Sequence, residues 1–278
     1  LPNPLVSGTQ NITVEVINPA NSNCVATTII PLVVNPLPEI ELYGDELICS
    51  NNPLFTKEIS AGLLDETTVS NYTYQWFLNN NQIIGETNYT LTVNTEGIYT
   101  VEVTNSNSCV RTRTITVTAS NIATIENVQV VDLSDENSVT VLVTGLGDYE
   151  YSLDNEYWQT SNVFSNIEAG IYTVYVKDLN GCGVATEEIS VLGIPNYFTP
   201  NNDGYNDYWN IKGINSRLNA ETIIYIFDRY GKLVKQISPL GQGWDGTFNG
   251  NQMSSSDYWY AVQLEDGRNI KGHFSLKR

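Results

Sequence analysis

Apolar and polar positions alternate along most of the chain in short runs, and the alternation has a period of two. In Tyr72-Thr73-Tyr74-Gln75-Trp76-Phe77-Leu78 it puts Tyr74, Trp76 and Leu78 on one face. Thr114-Ile115-Thr116-Val117 repeats the device with Thr on the opposite face. Side chains that alternate in this way line the two faces of a half-buried strand, whereas an amphipathic helix would need apolar residues every three or four positions. No long run with helical spacing is visible. The pattern predicts an all-β protein, and Asp266-Gly267 is the turn expected to join Tyr258 through Leu264 to Ile270 through Leu276.

One strand pattern recurs three times, which makes the chain modular. Val14-Glu15-Val16 leads to Cys24. Gly97-Ile98-Tyr99-Thr100-Val101-Glu102-Val103 leads to Cys109, and Gly170-Ile171-Tyr172-Thr173-Val174-Tyr175-Val176 leads to Cys182. The spacing fits immunoglobulin-like β-sandwich modules in tandem. Trp76 takes the place of the central core aromatic in one module, and Tyr149, Tyr151 and Leu153 take it in the next. Tyr99 and Tyr172 stand where a tyrosine corner closes a loop. Residues 1–36 supply only the last strands of a module, and a lone hairpin cannot bury a core. The missing strands are therefore expected upstream. The stiff Pro36-Leu37-Pro38 separates this piece from a module at 37–119, followed by one at 120–193. Leu192-Gly193-Ile194-Pro195 leaves almost no slack before the last segment, 194–278, so those two neighbours are expected to share an interface. The architecture expected is a rod of sandwiches ending in a smaller one.

Composition and charge narrow the function classes. Thr, Val, Ile, Tyr and Asn abound, while Met and His occur once each. Residues 1–193 hold 23 acidic side chains against 4 basic ones, whereas residues 194–278 hold 8 against 9. Phosphate neutralisation needs clustered Lys and Arg, so nucleic acid is excluded as a partner of the acidic front. No apolar run approaches the roughly 18 residues of a membrane-spanning helix. The chain opens at Leu1 without an initiator Met, and a piece of a larger exported protein is expected.

The final segment carries the most specific pattern. It opens with Ile194-Pro195-Asn196-Tyr197-Phe198-Thr199-Pro200-Asn201-Asn202-Asp203-Gly204. It continues through Ile223-Ile224-Tyr225-Ile226-Phe227-Asp228-Arg229-Tyr230-Gly231-Lys232 and Gly243-Trp244-Asp245-Gly246, and closes on Gly272-His273-Phe274-Ser275-Leu276-Lys277-Arg278. This combination resembles the type B sorting domain of the type IX secretion system, found at the C-terminus of gliding-motility-associated surface proteins. The preceding modules resemble the PKD and immunoglobulin-like repeats of large bacterial adhesins. The resemblance implies export by the type IX translocon with a SprF/PorP-like outer-membrane partner. It also implies a place at the cell surface, associated with the outer membrane. Within this segment Ile270, Lys271, Phe274, Leu276, Lys277 and Arg278 are the expected partner-binding residues. An alternating terminal strand can add to another backbone edge while its apolar face fills a groove, and its cations favour an acidic partner.

Four further features bear on chemistry. The loop Thr199 to Asn210 places oxygen side chains at calcium-loop positions, with Asn201, Asp203 and Asp207 as candidate ligands and Gly204 at position 6. Asn210 stands where the bidentate Glu belongs, and the competing reading is an Asx-rich turn. No other cofactor is expected. Four cysteines allow three complete pairings. The repeat favours Cys49 with Cys109, leaving Cys24 and Cys182 unpaired, against the alternative of four small buried or half-buried thiols. The single histidine, His273, lies in an alternating strand without a triad context, and no enzyme motif is present. Tyr149, Tyr157 and Trp158 raise carbohydrate binding as a second function, if Trp158 and Tyr157 form one exposed patch.

Overall fold

The computed structural model describes residues 7–52 and 54–278 and is all-β, with one 3₁₀ turn at Glu66–Asn71. It divides into two compact units, residues 1–120 and 121–278. Residues 1–6 of the first expected segment lie outside the described residues.

The first unit begins with an antiparallel hairpin of Gly8–Asn18 and Asn21–Val34. Ile12 pairs with Ile30 and Gln10 with Leu32, which gathers Ile12, Val14, Ile30 and Leu32 on one face. None of these joins a hydrophobic cluster, and Val16, Ile29 and Val33 are exposed.

The rest of this unit is a two-sheet sandwich. Its five-stranded sheet runs in the order Tyr43–Cys49, Val110–Ser120, Gly97–Asn105, Tyr72–Leu78, Asn81–Gln82, and Lys57–Ser60 pairs with Thr90–Val93 in the second sheet. The inward set expected from the alternation fills the core: Tyr74, Trp76, Tyr99, Val101, Val103, Ile115 and Val117. Trp76 is fully buried, and its indole N–H donates to the Asn88 carbonyl at 2.9 Å. Burial pushes the Tyr74 phenol up to about 12.

The topology overturns the Cys49–Cys109 bridge. Tyr43–Cys49 runs parallel to Val110–Ser120 with Cys49 opposite Ser120, while Cys109 precedes the first residue of that same strand. Eleven strand residues, at about 3.3 Å each, separate the two ends, against a bridging limit of about 7 Å between Cα atoms. Cys109 is a free thiol, as is Cys24, whereas Cys49 and Cys182 are disulfide-bonded. Cys182, expected to be unpaired, is thus corrected as well.

The second unit contains two hydrophobic clusters. In the first, Thr124–Val131, Ser138–Thr144 and Val163–Ser165 form one sheet and Tyr149–Ser152, Gly170–Asp178 and Val184–Val191 the other, closing on Val139, Val141, Tyr151, Val174, Val176 and Val191. The second cluster belongs to a five-stranded sheet in the order Tyr197–Phe198, Asn269–Leu276, Ser256–Gln263, Ile223–Phe227, Leu233–Ile237. Among the described residues no helix is long and apolar enough to cross a membrane.

One loop closure recurs. The Tyr99 hydroxyl donates to the Thr95 carbonyl and that of Tyr172 to the Glu168 carbonyl, each at 2.9 Å and four residues upstream. Tyr258 makes the same bond to Ser254 at 2.9 Å. The sequence reading missed this third corner, although Tyr258 also stands near the start of a penultimate strand.

Candidate functional site

The last hairpin pairs Ser256–Gln263 with Asn269–Leu276, from Ser256 opposite Leu276 to Gln263 opposite Asn269. Asp266-Gly267 closes it as expected: Gly267 has φ +89°, its amide donates to the Leu264 carbonyl at 3.0 Å, and Leu264 donates to the Arg268 carbonyl at 2.9 Å. The inner face carries Tyr258, Val262, Phe274 and Leu276, which meet Phe198, Trp209, Ile224, Ile226 and Trp244 in one cluster. Phe274 stacks on Trp209 with 3.9 Å between ring centroids and an interplanar angle of 14°. Its contact with Trp244 is edge-on at 6.0 Å.

This burial corrects part of the partner-binding set. Phe274 and Leu276 are 0% and 1% exposed, and Ile270 packs against the same cluster, so all three face the segment's own core. The terminal strand is not an edge at its C-terminal end, where Tyr197–Phe198 lies parallel to it opposite Ser275 and Leu276. Aromatic surface of this size is more stable against Trp209 and Trp244 than presented to solvent.

The outer face is different. Register places His273, Trp259 and Phe227 in one row across three strands, with Lys271, Ala261 and Tyr225 in the next. Trp259 is 42% exposed, and none of these six joins the core cluster. Lys277 holds its ammonium 4.5 Å from the centroid of the exposed Tyr197 ring. Arg278 donates from Nη2 to the Gly246 carbonyl at 3.1 Å. Lys271, Lys277 and Arg278 are thus the expected residues that remain exposed.

The loop after Phe198 holds the three candidate calcium ligands in an exposed position. Asp207 accepts from the amides of Asn201 and Asn202 through Oδ1, at 3.0 and 2.6 Å, and from Gly204 through Oδ2 at 2.8 Å. Asp203 accepts from the Tyr205 amide at 2.8 Å and from Asn201 Nδ2 at 2.8 Å. The Tyr205 amide and then the Asn201 side chain hold the Asp203 carboxyl below its usual range. Both carboxylates are directed at donors of their own loop, which is the chemistry of an Asx turn. Among the described residues no three His, Cys, Asp or Glu side chains gather as a metal site.

Residues 192–276 match the family model of the CHU_C type IX secretion signal domain. No match was found among curated proteins. Among solved structures the chain is similar to the insect immune protein hemolin, at 12% identity and a TM-score of 0.38, over 87% of this chain and 77% of hemolin. Murine CEACAM1b shares 14% identity at a TM-score of 0.35, over 56% and 100%. Immunoglobulin domains 1–4 of Sidekick-1 share 11% at 0.24, over 97% and 90%. Scores this low carry no argument, and the all-β assignment stands on the strand pairings themselves.

The sorting domain is joined tightly to the module before it. Arg268, in the turn of the last hairpin, donates from Nη1 and Nη2 to the two carboxylate oxygens of Asp132 at 2.6 and 3.3 Å. The Asp132 side chain is only 5% exposed. Asp132, followed by Asp266, raises the Arg268 guanidinium above its usual range. Leu133 packs against the sorting domain's core, and its amide donates to the Leu192 carbonyl at 3.1 Å. On the other flank Ser190 donates to the Gly213 carbonyl at 2.6 Å, and Arg217 pairs with Glu188 at 2.7 Å. A side chain at Gly213 would run into the Val191 carbonyl. The sequence showed that slack was short here, yet nothing in it paired Asp132 with Arg268.

The aromatic pair considered for carbohydrate is split. Tyr157 is exposed, but Trp158 is half-buried with the Lys177 ammonium 4.1 Å from its ring centroid, and Lys177 also pairs with Glu150 at 3.1 Å. The lysine covers one face of the ring.

Proposed function

We propose that this chain is the C-terminal part of a secreted cell-surface adhesin, with sandwich modules as a stalk and residues 194–278 as its export signal. The match of residues 192–276 to a type IX secretion signal domain carries this reading. Such a signal implies handling by the type IX secretion system and export to the cell surface or the extracellular space. The finer steps are part of the proposal: passage through the type IX translocon, a SprF/PorP-like outer-membrane partner, retention at the outer membrane and a role in gliding motility. The chain is read as non-catalytic, its modules serving for reach and attachment.

The docking surface proposed for the export partner is the outer face of the last hairpin. Its inner face is committed to the core, so Trp259, Lys271, His273 and the Tyr197–Lys277 pair are the groups a partner can meet. Aromatic and cationic side chains together suit an acidic partner surface with an apolar centre. Fusion of residues 121–278 to a secreted passenger in a type IX-competent bacterium should give surface display. Passenger retained in the periplasm would refute the reading.

A further inference from the structure

We infer that the working export signal is the two-module unit 121–278, with the loop at Asp132-Leu133 as an obligatory part of it. The inference rests on the proposed function and extends it to residues outside the family match.

Two observations converge on this loop, and a third fixes the other flank of the same junction. The Asp132 side chain is almost fully buried, and Arg268 of the terminal hairpin meets both of its oxygens. A buried carboxylate is tolerated only while such a partner is in place. Leu133 adopts φ +58°, a left-handed conformation that a residue with a β-carbon rarely takes. Its side chain packs against the sorting domain's core, so most of the packing that offsets the strain lies in the other module. The close approach of Gly213 to Val191 leaves no room for slippage on the second flank. Besides the Leu192 amide, 3.4 Å from Asp132 Oδ2, strain and a buried carboxylate on one module are met by Arg268 and the core of the next, the marks of two bodies that fold to a shared minimum. The kind of module that fits ahead of this sorting domain is therefore one that presents an acid followed by an aliphatic side chain in this loop.

The test uses the full chain with its passenger, and its single substitutions lie outside 192–276. In purified protein, Leu133→Ser and Asp132→Asn should each raise amide exchange across residues 192–212 by about tenfold or more, as loss of a buried pair or core side chain does. Exchange in Gly170–Asp178 should stay unchanged, which shows that the altered module is still folded. The same variants should lose surface display, and the exchanged pair Asp132→Arg with Arg268→Asp should recover part of it. Display at the parental level despite faster exchange would overturn the inference and leave the export reading intact, as would exchange that does not change. Failure of the parent itself to be displayed would instead refute the export reading.

Discussion

The last hairpin of the 37–120 sandwich and the last hairpin of the sorting domain share an inner face and differ in their outer one. Gly97–Asn105 with Val110–Ser120 buries Tyr99, Val101, Val103, Ile115 and Val117, and Ser256–Gln263 with Asn269–Leu276 buries Tyr258, Val262, Phe274 and Leu276. Each closes a loop with a tyrosine hydroxyl. Across the outer faces, the first pairs Thr100 with Thr114 and Glu102 with Thr112, a surface suited to water. The second pairs Trp259 with His273 and Ala261 with Lys271. Core burial sets the strand and leaves every second residue free, so the outer face is where the two hairpins diverge in use.

The comparison is broken most severely from inside. Phe274→Ala should cost the sorting domain about 3–5 kcal/mol, since it empties the centre of the Trp209, Trp244 and Tyr258 cluster. Denaturant melts should show that transition displaced while the 37–120 sandwich unfolds as before. Tyr258→Phe and Tyr99→Phe should each cost about 1 kcal/mol through one lost hydrogen bond, and equal losses would establish that the corners are equivalent.

Outer-face changes should separate stability from function. Trp259→Thr with Lys271→Thr imports the other hairpin's surface and should shift stability by no more than about 0.5 kcal/mol, yet reduce display. Lys277→Glu with Arg278→Glu should behave alike, and full display by both folded variants would remove the outer face from recognition.

Two smaller effects sharpen the picture. Alkylation without reductant should modify Cys24 and Cys109 and spare Cys49 and Cys182, as mass analysis would read. Asp203 should titrate below the ordinary Asp value of about 3.9. Because its folded pKa is depressed, the order it lends the loop is present above the unfolded value and lost as pH falls through the folded one. NMR titration of its carboxyl would show this. A midpoint at or above the ordinary value would remove the backbone cradle.

Alternation alone determined which residues face inward, because a side-chain period of two leaves no other choice once a strand is given. Trp76, Tyr99, Tyr151 and Val174 are legible in this way, as are the Asp266-Gly267 turn and the Ile194 to Arg278 pattern. Alternation is silent on what covers a face. Phe274 and Leu276 read equally well as a surface for a partner and as core, and only the arrival of Trp209 and Trp244 from distant loops decided for core. The end of a sandwich at which a turn emerges depends on pairing direction, so the parallel run of Tyr43–Cys49 beside Val110–Ser120 was needed to part Cys49 from Cys109. Asp132 and Arg268 lie 136 residues apart, and their meeting is a product of two packed modules that no local pattern encodes. Local periodicity is a property of the backbone, whereas partnership across the fold is settled by which surfaces exclude water together.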